Sequence, residues 1–247
     1  MPALLELRSV DKRFGQVVIA NDLSLTVRDG EAIGIVGPNG AGKTTLFGLI
    51  SGDLPVDSGA VLLDGHDLVG TDPAERCRSG LGRTYQVPRP FEGLTVFENV
   101  LVAAQQGGRL SGPASHRRAL ASLEQARLGA SANRMAGSLG LLDRKRLEVA
   151  RALATGPRLL LLDEVAGGLT DPEVAELVDV VGQARAGGTA VMWIEHVVRA
   201  LVATVDRLLC LAGGRFVADG SPREVLHSPA VREVYLGIDT SIEASPK

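Results

Sequence analysis

Gly37-Pro38-Asn39-Gly40-Ala41-Gly42-Lys43-Thr44 decides the fold of this chain, because it fills every position of the pattern G-x-x-x-x-G-K-[ST]. The apolar run EAIGIVG (31–37) leads into it, and TTLFGLISG (44–52), which has helical character, follows it. Glycines let backbone N–H groups converge on phosphate oxygens, and the N-terminus of a following helix adds a favourable dipole. The stretch therefore predicts a buried strand, a phosphate-binding loop and a helix, in that order.

Three side chains at the end of this loop belong to the predicted nucleotide site. Lys43 is expected to reach the β- and γ-phosphates of ATP, and the Thr44 hydroxyl is expected to ligate Mg²⁺. Thr45 ends the predicted nucleotide-binding set, which runs from Gly37. The alternative is a glycine-rich turn with an incidental lysine, and the order of strand, loop and helix argues against it.

An acidic pair supplies the second half of the predicted site. Leu159–Leu162 form an apolar strand that ends in Asp163 and Glu164. At the carboxyl end of a strand beside the phosphate loop, Asp163 is expected to hold Mg²⁺, directly or through water. Glu164 is then placed to act as general base on an attacking water. An acidic pair alone is often structural; downstream of a phosphate loop it favours catalysis.

Composition bounds the remaining possibilities. The chain has 247 residues, 45% of them apolar, and a formal net charge of −3. A domain of this size needs no disulfide, so Cys77 and Cys210 are expected to be reduced thiols. The charge gives no reason to expect nucleic acid as a partner. The longest apolar run is far shorter than the ~20 residues of a membrane helix, so membrane contact is expected through a partner.

Periodicity elsewhere predicts an α/β fold that contains a mostly helical insert. Three short N-terminal strands are predicted: LLELRSV (4–10), QVVIA (16–20) and LSLTV (23–27). The insert is predicted to open with a helix over 95–106, with Thr95 as N-cap and Glu98 at capping-box spacing. Residues 107–115 are predicted as a flexible loop and 116–129 as a further helix. The α/β alternation resumes at Arg158.

Gln86 in GRTYQ, His196 in WIEH and Phe14 complete a pattern that resembles the ABC ATPases from about residue 4 to residue 237. No N-K-x-D segment occurs, which argues against a GTPase. The resemblance implies that Gln86 senses Mg²⁺ and the attacking water, that His196 contacts the γ-phosphate, and that Phe14 stacks on adenine. Taken singly, these three residues have simpler explanations as surface or packing residues.

The resemblance also implies the architecture. It is that of a P-loop ABC ATPase with an N-terminal antiparallel β subdomain, a mostly parallel core sheet and an inserted helical subdomain over about 88–157. One nucleotide-binding domain then spans 1–237, and 238–247 form a flexible tail. The chain is expected to work at the cytoplasmic face of the cell membrane as a peripheral subunit.

Within the family, the segments GRTYQ, TVFENVLVA, KRLEVARAL, IEHVV and AVREVYLG are most similar to ATPases of branched-chain amino-acid importers. This implies a second ATPase subunit, two membrane permeases and, indirectly, a solute-binding protein. Phe91 and Leu94 are expected to help receive a permease helix, with ordinary packing as the alternative. The transported solute stays open. A low-turnover regulatory subunit and a soluble, non-transport ABC ATPase are the alternative functions.

One motif departs from the family pattern. ABC ATPases carry an L-S-x-G-Q-like signature at the start of a helix that completes the partner's ATP site. Here the stretch from Leu139 to Glu148 has Gly140 at the serine position, Leu142 at the glycine position and Asp143 at the glutamine position, with Arg144 directly after it. Since Gly140 has no hydroxyl to offer a γ-phosphate, the site it completes is expected to be weak, and the dimer to be an asymmetric heterodimer. Arg144 is expected to compensate in part.

Overall fold

The structure, a computed structural model, describes residues 3–236. Its strands are β1 (Ala3–Phe14), β2 (Val17–Arg28), β3 (Ala32–Val36), β4 (Ser58–Leu63), β5 (His66–Asp67), β6 (Leu81–Arg83), β7 (Leu159–Asp163), β8 (Ala190–Ile194), β9 (Arg207–Ala212) and β10 (Arg215–Gly220). Its α-helices are α1 (Lys43–Ser51), α2 (Pro73–Arg78), α3 (Val96–Gln106), α4 (Gly112–Gln125), α5 (Leu141–Ala154), α6 (Asp171–Ala186), α7 (Val198–Thr204), α8 (Pro222–His227) and α9 (Pro229–Leu236). The predicted tail, 238–247, lies outside the described residues.

The N-terminal strands form an antiparallel sheet in the order β2-β1-β4-β5. The prediction of three short strands was wrong, because residues 17–28 form one strand with an irregularity inside it. The register shifts where Val10 pairs with Leu23 and Lys12 pairs with Ala20, and Asp22 there has a φ of 56°. This bulge breaks the alternation of side chains without ending the strand.

The second sheet has the order β10-β9-β3-β8-β7-β6 and is parallel except for the β9–β10 pair. Its central strands β3, β7 and β8 are buried along their whole length, which explains why they are continuous apolar runs. Alternate residues face two separate cores. Leu159 and Leu161 pack with α1 and the antiparallel sheet, whereas Leu160 and Leu162 pack with helices on the other face. The predicted α/β fold is confirmed.

The inserted region contains α3, α4 and α5, which pack against one another. The capping box predicted for α3 is confirmed, because the Glu98 amide donates to Thr95 Oγ1 and the Thr95 amide donates to Glu98 Oε2. The loop predicted over 107–115 was wrong in its second half, since α4 begins at Gly112. Pro113 lies in the first turn of α4, where its missing N–H costs nothing. None of the helices within residues 3–236 is long and apolar enough to cross a bilayer.

Candidate nucleotide-binding and catalytic site

Most of the predicted site residues follow the carboxyl ends of four adjacent parallel strands, at one edge of the sheet. β3 leads into the loop 37–42, β7 ends at Asp163, β8 ends before His196, and β6 ends three residues before Gln86. Open α/β sheets bind ligands at this edge, because the loops that leave the strands converge there. Segments more than 100 residues apart in sequence therefore meet through strand order alone.

The loop 37–42 wraps around the Lys43 side chain. Lys43 Nζ donates to the carbonyl oxygens of Gly37 at 2.8 Å and Pro38 at 3.0 Å, and burial lowers the pKa of this ammonium group. Gly42 precedes α1 with a φ of 97°, and a Cβ there would lie 2.8 Å from Ile19 Cγ2. The loop thus requires glycine at this position and packs directly on β2.

Thr44 and Asp163 form the candidate metal-binding pair. Thr44 Oγ1 lies 3.4 Å from Asp163 Oδ1, and both oxygens are hard donors of the kind that Mg²⁺ prefers. Asp163 is 1% exposed, and burial raises the pKa of its carboxyl group, while Arg83 opposes that shift. Arg83 Nη2 lies 3.6 Å from Asp163 Oδ2, and Arg83 Nη1 donates to Asp53 at 2.6 Å.

Glu164 contacts two of the other predicted catalytic side chains, Gln86 and His196, whereas Lys43 donates to the phosphate loop. Gln86 Nε2 donates to Glu164 Oε2 at 2.5 Å, and His196 Nε2 lies 2.8 Å from Glu164 Oε1. Glu164 adopts a left-handed backbone conformation, with a φ of 49°, which is uncommon for a residue other than glycine. The Glu164 side chain contacts Gln86 and His196, whereas the Asp163 side chain, one residue earlier, contacts Thr44 and Arg83.

Phe14 lies at the end of β1 and is 48% exposed. The β1–β2 hairpin that carries it also brings Ile19 against Gly42 of the phosphate loop. Lys12 Nζ lies 5.4 Å from the centroid of the Phe14 ring. An exposed aromatic face on an element anchored to the phosphate loop is available for stacking with a planar base.

Three charged residues beside Asp163 and Glu164, the buried Lys145 and Glu195 and the partly buried Arg83, were not among the predicted site residues. Arg83 pairs with Asp163, Lys145 Nζ donates to the backbone carbonyl of Glu164 at 3.2 Å, and Glu195 accepts from the backbone N–H of Ala166 at 2.5 Å. The available signal was a charged residue inside or next to an apolar run, as in LGR (81–83) and MWIE (192–195).

The signature stretch forms the start of α5. Gly140 is the N-cap residue and makes no side-chain cap hydrogen bond, and Leu141 beside it is 46% exposed. The Arg144 guanidinium donates to the carbonyl oxygens of Leu139 and Gly137, both at 2.9 Å. Arg144 therefore stabilises the turn that precedes α5, through hydrogen bonds within the same chain.

Two models of protein families match segments of this chain. The model of the ABC transporter family matches residues 20–167, and a model of the branched-chain amino acid ATP-binding cassette transporter matches residues 217–239. The first match contains the phosphate loop, the Gln86 segment, the α5 start and the acidic pair.

Individual relatives cover nearly the whole chain. The high-affinity branched-chain amino acid transport ATP-binding protein LivG of Salmonella typhimurium is 36% identical over 95% of this chain and 98% of its own. The lipopolysaccharide export system ATP-binding protein LptB of Escherichia coli is 34% identical over 96% and 98%. A crystal structure of the ADP conformation of an ABC transporter ATP-binding cassette superposes with a TM-score of 0.86 at 29% identity, covering 96% of this chain and all of the other. The chain belongs to the ABC transporter family, as one of its ATP-binding and ATP-hydrolysing subunits.

Proposed function

We propose that this chain hydrolyses ATP with Glu164 as general base, and one observation carries the assignment. One oxygen of the Glu164 carboxylate accepts a hydrogen bond from Gln86, and the other oxygen lies 2.8 Å from His196 Nε2. Both contacts lie at the edge of the sheet where the phosphate loop lies. In this assignment His196 contacts the γ-phosphate, Gln86 senses Mg²⁺ and the attacking water, and Lys43 neutralises the β- and γ-phosphates. Residues 37–45 cradle the phosphates, and Phe14 stacks on adenine.

Magnesium fits the oxygen donors that the chain offers. Thr44 Oγ1 and Asp163 Oδ1 would hold the ion, with Gln86 close to its water shell. When bound, Mg²⁺ would neutralise charge on the transferred phosphoryl group. Glu164→Gln is expected to lower turnover about 10²- to 10⁴-fold while Mg²⁺-ATP binding is retained. Turnover of this variant within a few-fold of wild type would remove the assignment.

For the transported cargo, we propose import of branched-chain or related amino acids. The support is the family model that matches residues 217–239 and the names of the LivG relatives. Export of a lipid is the second candidate, because LptB is about as similar to this chain as LivG is. Uptake of labelled leucine, isoleucine or valine by vesicles that contain the chain with its co-purified permeases tests the proposal. ATP-dependent extraction of lipopolysaccharide instead of uptake would favour the second candidate.

ABC ATPases dimerise and act on membrane permease subunits, and we propose a groove on this chain as the permease contact at the cytoplasmic face. Tyr85, Val87 and Phe91 expose large apolar side chains beside it, and Leu94 is half buried. Arg151 lies over the Phe91 ring at 5.2 Å. The groove is lined by Cys77, Arg83, Tyr85, Arg89, Ala103, Glu148, Arg151, Ala152 and Thr155.

Replacing an exposed apolar side chain beside this groove tests the docking proposal. Phe91→Ala is expected to weaken co-purification with the permeases without changing ATP binding by the isolated chain. Val202→Ala, at a similarly exposed position on α7, is the matched control. Equal retention of the permeases by both variants would contradict docking at this groove.

The dimer is proposed to be an asymmetric heterodimer that also serves a solute-binding protein. Gly140 begins α5 with no hydroxyl, so the partner's ATP would lose one charge-assisted hydrogen bond, worth roughly 1.5–3 kcal/mol. Arg144 keeps its positive charge next to this position while its guanidinium donates to the carbonyl oxygens of Leu139 and Gly137, so it is proposed to compensate only in part. This chain's own phosphate loop and Glu164 would be completed by the signature of its partner.

Two measurements test the asymmetry. Low Mg²⁺-dependent turnover by the chain alone, raised by Gly140→Ser/Leu142→Gly and absent in Glu164→Gln, is the expected result. In the assembled transporter, Lys43→Ala is expected to stop transport more completely than the equivalent change in the partner. Brisk turnover by the unmodified chain, or equal effects of the two lysine changes, would refute the asymmetry.

A further inference from the structure

Two buried side chains of opposite charge lie beside Glu164 and have no role in the ATPase chemistry described above. Lys145, in the second turn of α5, is 5% exposed, and Glu195, directly after β8, is 2% exposed. Burial lowers the pKa of Lys145 and raises the pKa of Glu195, so each is held against a desolvation cost. Such a pair persists where hydrogen bonds and the opposite charge offset that cost.

Each of the two side chains contacts the backbone just after β7. Lys145 Nζ donates to the carbonyl oxygen of Glu164 at 3.2 Å, from the side of the signature helix. Glu195 Oε1 accepts from the backbone N–H of Ala166 at 2.5 Å, from the side of β8. Residues 164–166 are thus held between a cation on one element and an anion on another.

Glu195 is itself fixed by neighbours. Trp193 Nε1 lies 3.3 Å from Glu195 Oε1, and the His196 backbone N–H donates to Glu195 Oε2 at 3.2 Å. One carboxylate therefore connects the segment that carries Glu164 with the segment that carries His196. The two side chains that meet at 2.8 Å, those of Glu164 and His196, share this common support.

The backbone of Glu164 needs such support. Its φ of 49° is strained for a residue with a Cβ, and such strain persists only where surrounding contacts over-determine it. The Glu164 amide donates to Ile194 O at 2.9 Å, and the Gly167 amide donates to Glu164 O at 3.3 Å, which is a long hydrogen bond. Lys145 is the side chain that adds a cation to this carbonyl.

We propose that Lys145 and Glu195 form a positioning pair that holds residues 164–166 in the conformation which aims the Glu164 carboxylate. Because Lys145 belongs to the helix that opens with the signature stretch, the pair also links this chain's base to the helix that contacts the partner's nucleotide. The inference rests on the proposed role of Glu164 and on the head-to-tail dimer of the family. Lys145 and Glu195 do not touch the reacting atoms, so their role is to position Glu164.

The test compares Lys145→Met, Glu195→Gln and the double variant in the full-length chain. The amide oxygen introduced by Glu195→Gln would still accept from Ala166, but its NH2 group cannot accept from the His196 amide. The double variant therefore removes both buried charges, the donor to the Glu164 carbonyl and the acceptor of the His196 amide. Arg146→Met is the matched control, because Arg146 is a buried cation on the same helix whose partners are Asp143 and Glu176. Readouts are Tm, hydrogen exchange of the backbone amides in 164–168, and steady-state ATP turnover in the Gly140→Ser/Leu142→Gly background.

Lys145→Met is expected to raise amide exchange over 164–168 about tenfold or more, since exchange follows local opening. It is expected to lower kcat about 10- to 100-fold, with the KM for ATP changed less than about threefold. In the double variant the Tm should recover towards wild type, whereas kcat and exchange should stay at the values of Lys145→Met. Arg146→Met should lower the Tm without raising exchange over 164–168.

Two results would overturn the proposed positioning role. In one, Lys145→Met matches wild type in amide hydrogen exchange and in kcat while Glu164→Gln is inactive. In the other, kcat and exchange recover with the Tm in the double variant, which would make the role purely structural. If Glu164→Gln retains turnover while Lys145→Met raises exchange, the base assignment fails and the backbone-holding role is supported.

Discussion

Replacing Arg76 with methionine should destabilise the protein through the end of α1, the helix that carries Lys43. Arg76 is 4% exposed and donates to Leu49 O at 2.7 Å, Ile50 O at 2.9 Å and Leu68 O at 2.7 Å. Leu49 and Ile50 belong to the last turn of α1, whose carbonyl groups have no partner further along the helix. Arg76 supplies that partner from α2.

The magnitude follows from the acceptors that the change leaves behind. A buried carbonyl without a partner costs about 1–3 kcal/mol, so three of them would cost about 3–9 kcal/mol. The upper half of that range is not reached, because removing the cation also removes its desolvation cost, which lowers the pKa of Arg76 in the folded protein. We therefore expect Arg76→Met to lower the free energy of unfolding by about 3–5 kcal/mol.

Urea unfolding followed by the fluorescence of Trp193 measures this loss, since Trp193 is the single tryptophan and is fully buried. Arg78→Met is the control, because Arg78 lies on the same helix and is exposed. The control should change the free energy of unfolding by less than about 0.5 kcal/mol. A loss below about 1 kcal/mol for Arg76→Met would refute the reasoning, since it would mean that water satisfies the three carbonyls.

Three further predictions concern the nucleotide site. Gly42→Ala should weaken ATP binding about tenfold or more in a fluorescent-nucleotide titration, because the new Cβ would lie 2.9 Å from Ile19 O and force the loop to move; an unchanged Kd would contradict the packing of the loop on β2. Phe14→Ala should raise the Kd for ATP about 3- to 10-fold through the loss of base stacking, whereas Val17→Ala, at an exposed position on the same hairpin, should leave it unchanged. Thr44→Val should raise the Mg²⁺ concentration for half-maximal turnover about tenfold without changing Mg²⁺-free nucleotide binding, and an unchanged Mg²⁺ requirement would remove Thr44 from the metal site.

The phosphate loop could be predicted from the sequence because its chemistry is local. Strand, loop and helix are contiguous, and glycine is required at Gly42 by a φ of 97° and by the approach of Ile19. The apolar runs of β3 and β7 likewise predicted strands, and both strands are buried along their whole length. The capping box at Thr95 could be predicted for the same reason, since both partners lie within one turn.

The missed features depend on contacts between distant segments. Asp22 interrupts β2 in a bulge, and the sequence shows only the broken alternation, which resembles a gap between strands. The fold brings three charged side chains from distant segments beside Asp163 and Glu164, those of Arg83, Lys145 and Glu195. Their contacts depend on how the strands and helices are arranged. A single charged residue at the end of an apolar run does not reveal which buried group it will meet.

Asp163 and Glu164 are neighbouring carboxylates with different surroundings. The Asp163 side chain continues the strand into the interior, is 1% exposed, and meets Thr44 and Arg83. The Glu164 side chain is 16% exposed and contacts Gln86 and His196, and its backbone has a φ of 49°. A group that holds a metal ion benefits from burial and a fixed position, whereas a group that takes a proton from water must be reachable by that water. The proposed roles of the two residues match this difference, since the buried carboxylate of Asp163 is the proposed metal ligand and the more exposed carboxylate of Glu164 is the proposed general base.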